Sequence, residues 1–257
     1  MYIILLIYLF FKLERWREAL ESRGFKISRT KTEYMDCNFS GHIQSVETTV
    51  KVETHEIPRK DSFRYLGSMI SKDGEIDEDV EHRIRAGWLK WRLALGVLCD
   101  RRMPTKLKEK FYRTVVRPAM TYGAKCWPIK KTHIHKMDVA EMRMLRWMCG
   151  KTRKDKIRNE RYREHLGVAP IGDKIRETRL RWFGHVERRP VMTPVRKSLA
   201  IQVEGPSRGR GRPKTTWMEV INSDLKKFHL SKDLAQNRTE WRNRIYVADP
   251  NMVGIRL

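Results

Sequence analysis

The sequence predicts an α+β chain, with a small antiparallel β region first and a mainly α-helical remainder. Three observations carry that prediction. From Phe25 to Gly74 the apolar residues fall in short runs between turn signals, and beyond it they recur at helical spacing. Prolines in the second part stand where helices begin and end, Pro104 at a start and Pro118 at a stop. The charge divides at nearly the same place: residues 1–83 carry 13 basic and 15 acidic side chains, and residues 84–257 carry 42 and 16.

The elements follow in order. Met1 to Phe11 is continuously apolar, and its Ile, Tyr and Phe suit a buried strand, read as the cut edge of a larger domain. Those 11 residues are too few to cross a hydrocarbon core, which needs about 20, and no basic segment or cleavage site marks a signal peptide. Lys12–Arg23 places Leu13, Trp16 and Leu20 on one helical face and ends at Gly24. Phe25 to Tyr34 fits a strand, residues 37–57 a β-hairpin, and Phe63–Ser71 a strand closed by the Asp73-Gly74 turn.

Helical periodicity then takes over. Val80, Ile84, Trp88, Trp91 and Leu95 form one stripe, with Asp77, Glu78 and Asp79 at its N-terminal end. Those carboxylates are read as caps and dipole partners in preference to a metal site. The next helix runs from Pro104 to Pro118 with Leu107, Phe111 and Val115 inward. Further helices are expected at 133–149, 155–166, 171–187, 215–229 and 232–246. Their Trp and Met stripes read as core.

Composition narrows the function classes. A net charge of +24 over 257 residues disfavours an enzyme of neutral metabolites and favours a polyanionic partner. With 40% hydrophobic residues and eight Trp, the chain can bury a core. Cys37, Cys99, Cys126 and Cys149 lie at least 22 residues apart, which fits neither a redox pair nor a zinc knuckle. They read as reduced, buried thiols of an intracellular protein. A metal site from Cys126, Cys149 and His165 or His185 is the weaker alternative.

The cations are interleaved with aromatic residues. Residues 143–189 hold 15 Lys or Arg and 6 acids around Trp147, Tyr162, Trp182 and Phe183. A helix apolar on one side and arginine-rich on the other can dock on a core and face phosphates, and Arg143, Arg146, Arg176, Arg179 and Arg181 are placed for that. Exposed aromatics there could stack on bases, although burial is the plainer expectation for Trp. From Gly205 to Lys214 runs a basic linker whose Gly and Pro content opposes regular structure. Its Arg210-Gly211-Arg212-Pro213 core resembles an AT-hook, which lays arginines into a narrow A·T-rich minor groove; the alternative is an electrostatic tether. Arg208 and Lys214 belong to the same element.

Several motifs in order carry a family resemblance: KLERWREALESRGFKISRTKTEYM, FRYLGSMISKDG, GWLKWRLALGVLCDRRMPTKLKEKFYRTVVRPAMTYGAKCW, AEMRMLRWMCGKTRKDKIRNE, LGVAPI, RLRWFGHVERRP and RGRGRPKTTW. From Lys12 to Pro250 the chain resembles the C-terminal portion of a non-LTR (LINE-type) retrotransposon reverse transcriptase, an RNA-directed DNA polymerase. The resemblance implies a small antiparallel β remnant of a polymerase palm at 1–75, with a primer-grip-like hairpin. A helical thumb-like region at 76–125, a basic helical region at 126–195, the linker at 196–214 and a C-terminal helical segment at 215–257 complete the layout. Lys31, in Lys31-Thr32-Glu33, would lie near nucleotide phosphates, and Tyr65, Leu66 and Gly67 of FRYLG would hold a primer end. The implied partners are RNA or DNA and the implied location is nuclear. No small-molecule substrate or membrane partner is expected, and the oligomeric state is left open.

One departure bears on chemistry. Two-metal polymerisation needs carboxylates gathered around both ions. The intact family binds Mg2+ with an aspartate from an early palm strand and an adjacent Asp-Asp pair. This sequence contains no Asp-Asp pair, so no catalytic residue and no cofactor is assigned to it. The first expectation is therefore a truncated product that binds nucleic acid without catalysis. The others are part of an active reverse transcriptase completed by an upstream segment, and a host-adapted DNA-binding protein.

Overall fold

A computed structural model describes residues 2–28, 30–37, 50–52, 55–201 and 214–250. The chain is α+β, and its described residues fall into two compact units that divide between Glu75 and Ile76. The side chains of residues 1–11 are outside the description.

The first unit opens with helix α1, Tyr2–Glu21. The apolar leader is thus helical, contrary to the expected strand, because an unbroken apolar run carries no period that separates the two. Arg17 ties to Glu14 and Glu21 at 2.6 Å each, one turn to either side. Gly24, at φ 81°, takes the left-handed position past the helix end that a side chain would oppose. The expected strand at 25–34 reduces to one bridge, Tyr34 to Arg59. Strands β1 (Lys51–Val52) and β2 (His55–Glu56) pair antiparallel, and Val50 and Ile57 pack with Leu13 and Tyr34. The rest of the hairpin expected at 37–57, residues 38–49 and 53–54, lies outside the described residues. The segment read as one strand at 63–71 is a hairpin: β3 (Ser62–Tyr65) pairs with β4 (Ser68–Ser71) in the register Tyr65↔Ser68. Its turn is Leu66-Gly67, both at positive φ, as a two-residue primed turn requires. A leucine there costs about 1 kcal/mol, and without an Asn-Gly or Asp-Gly signal the turn was invisible to pattern reading.

The second unit is helical. Helix α2 (Asp77–Leu93) buries Val80 and Trp91 and half-buries Ile84 and Trp88, while Leu95 is exposed in the short α3 (Leu95–Leu98). Gly87 lets α2 approach Met120 closely, since a Cβ there would stand 2.2 Å from Met120 Cγ. Helix α4 (Thr105–Phe111) runs through a π-helical turn (Tyr112–Val116) into α5 (Arg117–Thr121). Pro118 therefore does not stop the helix. The Arg117 N–H bonds back to the Tyr112 carbonyl, and this wider turn accommodates the proline. The buried residues are Lys108, Tyr112, Val116, Arg117 and Met120, and the expected Leu107 is exposed.

Helices α6 (Lys131–Met148), α7 (Asn159–Leu166) and α8 (Ile171–Glu187) complete the larger core. The helix expected at 155–166 begins only at Asn159, and Asp155 instead ends a separate 3₁₀ turn, Arg153–Asp155. Glu141 of α6 is fully buried and fully bonded. It accepts from Tyr112 Oη at 2.7 Å, from Arg163 at 3.1 Å and from the Ile171 N–H, an orphan donor of the first turn of α8, at 3.1 Å. Burial pushes its carboxyl pKa up, against the pull of those partners. One carboxylate thus joins α6, α7, α8 and the π turn.

Helix α8 then bridges to a second core. Its Leu180 and Phe183 pack with Ile221 and Leu225 of α10 (Trp217–Lys227) and with Trp241 and Ile245 of α11 (Arg238–Ile245). Thr216 and Glu219 form a reciprocal capping box at the start of α10. Between α8 and α10 a short helix, α9 (Pro194–Ala200), occupies the beginning of the expected linker. Residues 202–213 lie outside the described residues.

Candidate nucleic-acid interface

The helical unit gathers its cations in a cleft that sequence reading passed over. Lys106 and Lys110 of α4, Arg113 of the π turn and Arg117 of α5 recur at spacings of four, three and four, so one face of the continuous helix is cationic. The eleven steps from Lys106 to Arg117, at about 1.5 Å each, make a stripe roughly 16 Å long. Across an open cleft of about 660 Å³ stand Lys174 and Arg181 of α8, with Tyr246 at its edge. Three acids line the same cleft, and each is engaged. Asp249 accepts from Arg117 at 2.9 Å, from Arg113 at 3.0 Å and from the Ala169 N–H at 2.9 Å. Burial raises the Asp249 pKa, but the hydrogen bonds from Arg117 and Ala169 and the charges of Arg117 and Arg113 outweigh it and hold the carboxyl below its ordinary value. Glu177 accepts from Lys174 at 2.6 Å and from Arg181, and Glu109 accepts from Arg113. Lys106 and Lys110 make no ion pair among the described residues. Six cations against three acids leave a net positive cleft.

A second surface pairs cations with exposed indole. Trp88, Trp91 and Trp147 form a cluster with ring centroids 5.5–5.7 Å apart. Trp91 is fully buried, whereas Trp147 keeps 44% of its surface exposed, contrary to the expectation of burial for Trp. The Arg143 guanidinium lies 5.9 Å from the Trp88 ring, and Arg146 bonds Asn159 and lies 5.7 Å from the Tyr162 ring. A cation beside a half-exposed indole is the pairing that holds single strands, by phosphate attraction and base stacking.

The other expected residues are placed as follows. Arg179 is corrected: it is buried at 3% exposure and bonded to Asp224 at 2.6 and 2.8 Å, so it offers nothing to a phosphate. Arg176, half-buried, pairs with Asp173 at 2.5 Å and Asp224 at 3.3 Å. Arg181 is exposed at the cleft. Lys31 is exposed in the loop after α1, and Tyr65 and Leu66 are exposed at the β3–β4 turn beside Gly67. Lys214 is exposed ahead of α10. Arg208, Arg210 and Arg212 lie outside the described residues.

Of the acidic trio of α2, Asp79 is buried, Asp77 is half-buried and Glu78 is exposed. Asp79 accepts from Trp127 Nε1 at 2.9 Å, and Asp77 meets His133 at 3.2 Å and Lys136 at 3.3 Å. Among the described residues no group of three or more His, Cys, Asp and Glu could hold a metal ion. Cys37 and Cys126 are exposed and only Cys99 and Cys149 are half-buried, which corrects the expectation of four buried thiols. Burial pushes the Cys149 thiol up to about 12. Among the described residues no helix is long and apolar enough to cross a membrane.

Comparison with known proteins bears on what this surface belongs to. A putative uncharacterized transposon-derived protein of Caenorhabditis elegans is 24% identical over 140 residues, 53% of this chain and 50% of that protein. The RNA-directed DNA polymerase from mobile element jockey of Drosophila funebris is 27% identical over 165 residues, 62% of this chain and 17% of that enzyme. The chain is similar to proteins of mobile elements. It spans half the length of the first relative and a sixth of the second. No family model and no solved structure matches it. The retrotransposon resemblance thus stands at low identity on part of the chain.

Proposed function

We propose that the chain binds RNA or DNA through the cationic surface of its helical unit and, by itself, polymerises nothing. In this reading it corresponds to the end of the palm, the thumb and the C-terminal region of a non-LTR retrotransposon reverse transcriptase. The observation that carries the reading is the Lys106–Lys110–Arg113–Arg117 stripe facing Lys174 and Arg181 across an open cleft. Arg117 is itself buried against Asp249, so the exposed part of the stripe, Lys106 to Arg113, is roughly 10 Å long and spans about three phosphates at about 3.4 Å of axial rise each. Similarity to an RNA-directed DNA polymerase supports the same partner class. The want of an Asp-Asp pair supports the absence of catalysis by this chain, since two metal ions need such carboxylates between them.

The test is oligonucleotide binding followed by fluorescence anisotropy across a salt series. Lys106→Gln with Lys110→Gln weakens binding and flattens the salt dependence; equal binding by the variant would remove the cleft from the reading. In a primer-extension assay with Mg2+ or Mn2+ the chain adds no nucleotide, and template-dependent incorporation above a buffer blank would overturn that half of the proposal. A second reading, part of an active polymerase completed by another segment, is favoured by the match to only 17% of the jockey enzyme. Restored extension on adding a segment bearing Asp-Asp would establish it.

A further inference from the structure

We propose that the C-terminal end of α8, together with Lys125 and Arg238, forms a second anion site that takes a backbone phosphate of a nucleic-acid strand. The site rests on the reading of the chain as nucleic-acid-binding, but it uses none of the cleft residues. Its members come from three elements. His185, Arg188 and Arg189 lie at the end of α8, Lys125 in the 3₁₀ turn Ala124–Cys126, and Arg238 at the start of α11.

Among the described residues the cations of this cluster meet no carboxylate, a property they share with Lys106 and Lys110 of the cleft. Elsewhere in the unit Arg113, Arg117, Arg163, Arg176, Arg179, Arg181 and Arg196 each meet a carboxylate. Here Arg189 meets His185 Nε2 at 3.2 and 3.3 Å and no carboxylate among the described residues. Arg188 donates to the Ala235 carbonyl at 2.5 Å, and Lys125 lies 4.5 Å from the centroid of the Trp182 ring. Arg238 meets no carboxylate among the described residues. Of the acids on the packed elements, Glu187 is held by Arg196 at 2.6 Å, Glu240 accepts from Asn237 Nδ2 at 3.5 Å, and Asp233 makes no ion pair among the described residues.

The histidine reports the resulting potential. His185 stacks on Trp182 with ring centroids 5.3 Å apart and planes inclined by 22°. Partial desolvation, then the charges of Arg189, Arg188, Arg238 and Lys125, lower its pKa. The charges that act on it most strongly are all cations. A bound phosphate reverses that balance and raises the pKa, so binding takes up a proton in the window between the two values. Affinity then rises as pH falls through the window and levels off below the lowered pKa of the free site.

The test uses the full chain and a single-stranded oligonucleotide, with inorganic phosphate as a second probe. Arg189→Gln with Arg238→Gln removes the site's hold on its one phosphate and reduces the slope of log Kobs against log salt by about 0.7. The pH titration of the His185 imidazole, followed by NMR and identified with His185→Gln, shifts upward when oligonucleotide is added. His185→Gln also removes the proton uptake. The variants must unfold at the wild-type temperature, which separates lost contacts from lost structure. An unchanged slope with an unshifted His185 titration overturns the site, while the Lys106/Lys110 variant still weakened leaves the cleft standing. If no oligonucleotide binds at all, the underlying reading fails. A His185 shift with inorganic phosphate alone then reassigns the site to free phosphate, and no shift overturns it.

Discussion

Gly184 sits in the interior of α8, where alanine would ordinarily stabilise a helix by about 1 kcal/mol. The structure predicts the opposite. A Cβ on Gly184 would stand 2.4 Å from Trp241 Nε1 and 2.7 Å from its Cδ1, against the roughly 3.5–4.0 Å of an ordinary contact. Trp241 cannot step aside. Its ring is fully buried, packs 6.0 Å from Phe183, and donates Nε1–H to the Leu180 carbonyl at 3.1 Å. Overpacking a core costs about 1–3 kcal/mol, and losing the hydrogen bond about 1 more. Set against the helix gain, Gly184→Ala destabilises by about 1–3 kcal/mol. Gly96 provides the control, since nothing lies within 4 Å of its added Cβ, and Gly96→Ala is neutral or stabilising by up to about 1 kcal/mol. The assay is urea unfolding followed by tryptophan fluorescence. A Gly184→Ala variant as stable as the wild type would refute the packing of α8 against α11.

Two further outcomes are expected. Glu141→Ala leaves Arg163 and the Ile171 N–H without their buried acceptor, so equilibrium unfolding should report a loss of about 3–5 kcal/mol; a loss below about 1 kcal/mol would mean that the carboxylate does not join the helices. Asp249 has a depressed pKa in the folded chain, so its share of stability is present above the unfolded value of about 3.9 and disappears as pH falls through the folded value. Wild type and Asp249→Asn, compared by urea unfolding from pH 6 to pH 2, should therefore differ at the upper end and converge at the lower. A gap that persists at pH 2 would contradict this assignment.

Much of the helical unit was legible in the sequence. The expected helices at 133–149 and 171–187 appear as Lys131–Met148 and Ile171–Glu187, because a long apolar stripe with clear ends states its own period. The π turn was not legible. The inward face falls one residue past the expected Leu107, Phe111 and Val115, on Lys108, Tyr112 and Val116, and does so already at Lys108, ahead of the π turn. Nor could local spacing tell Arg179 from Arg181, for the residue that buries the first is Asp224, 45 positions away. The cleft was a different kind of miss, since the 106–110–113–117 stripe stands in plain view. Counting charge by region had obscured charge by helical face. For the anion site at the end of α8 no local signal existed, because Lys125 and Arg238 join it only through folding.

The central claim is that the helical unit holds nucleic acid through unneutralised cations. The most direct measurement is the slope of log Kobs against log salt for a single-stranded oligonucleotide, in the wild-type chain and in Lys106→Gln with Lys110→Gln. At about −0.7 per phosphate contact on a single strand, the account predicts a steep wild-type slope that the double variant flattens by about 1.4. Affinity that does not fall with salt, or a slope untouched by the two substitutions, would contradict it.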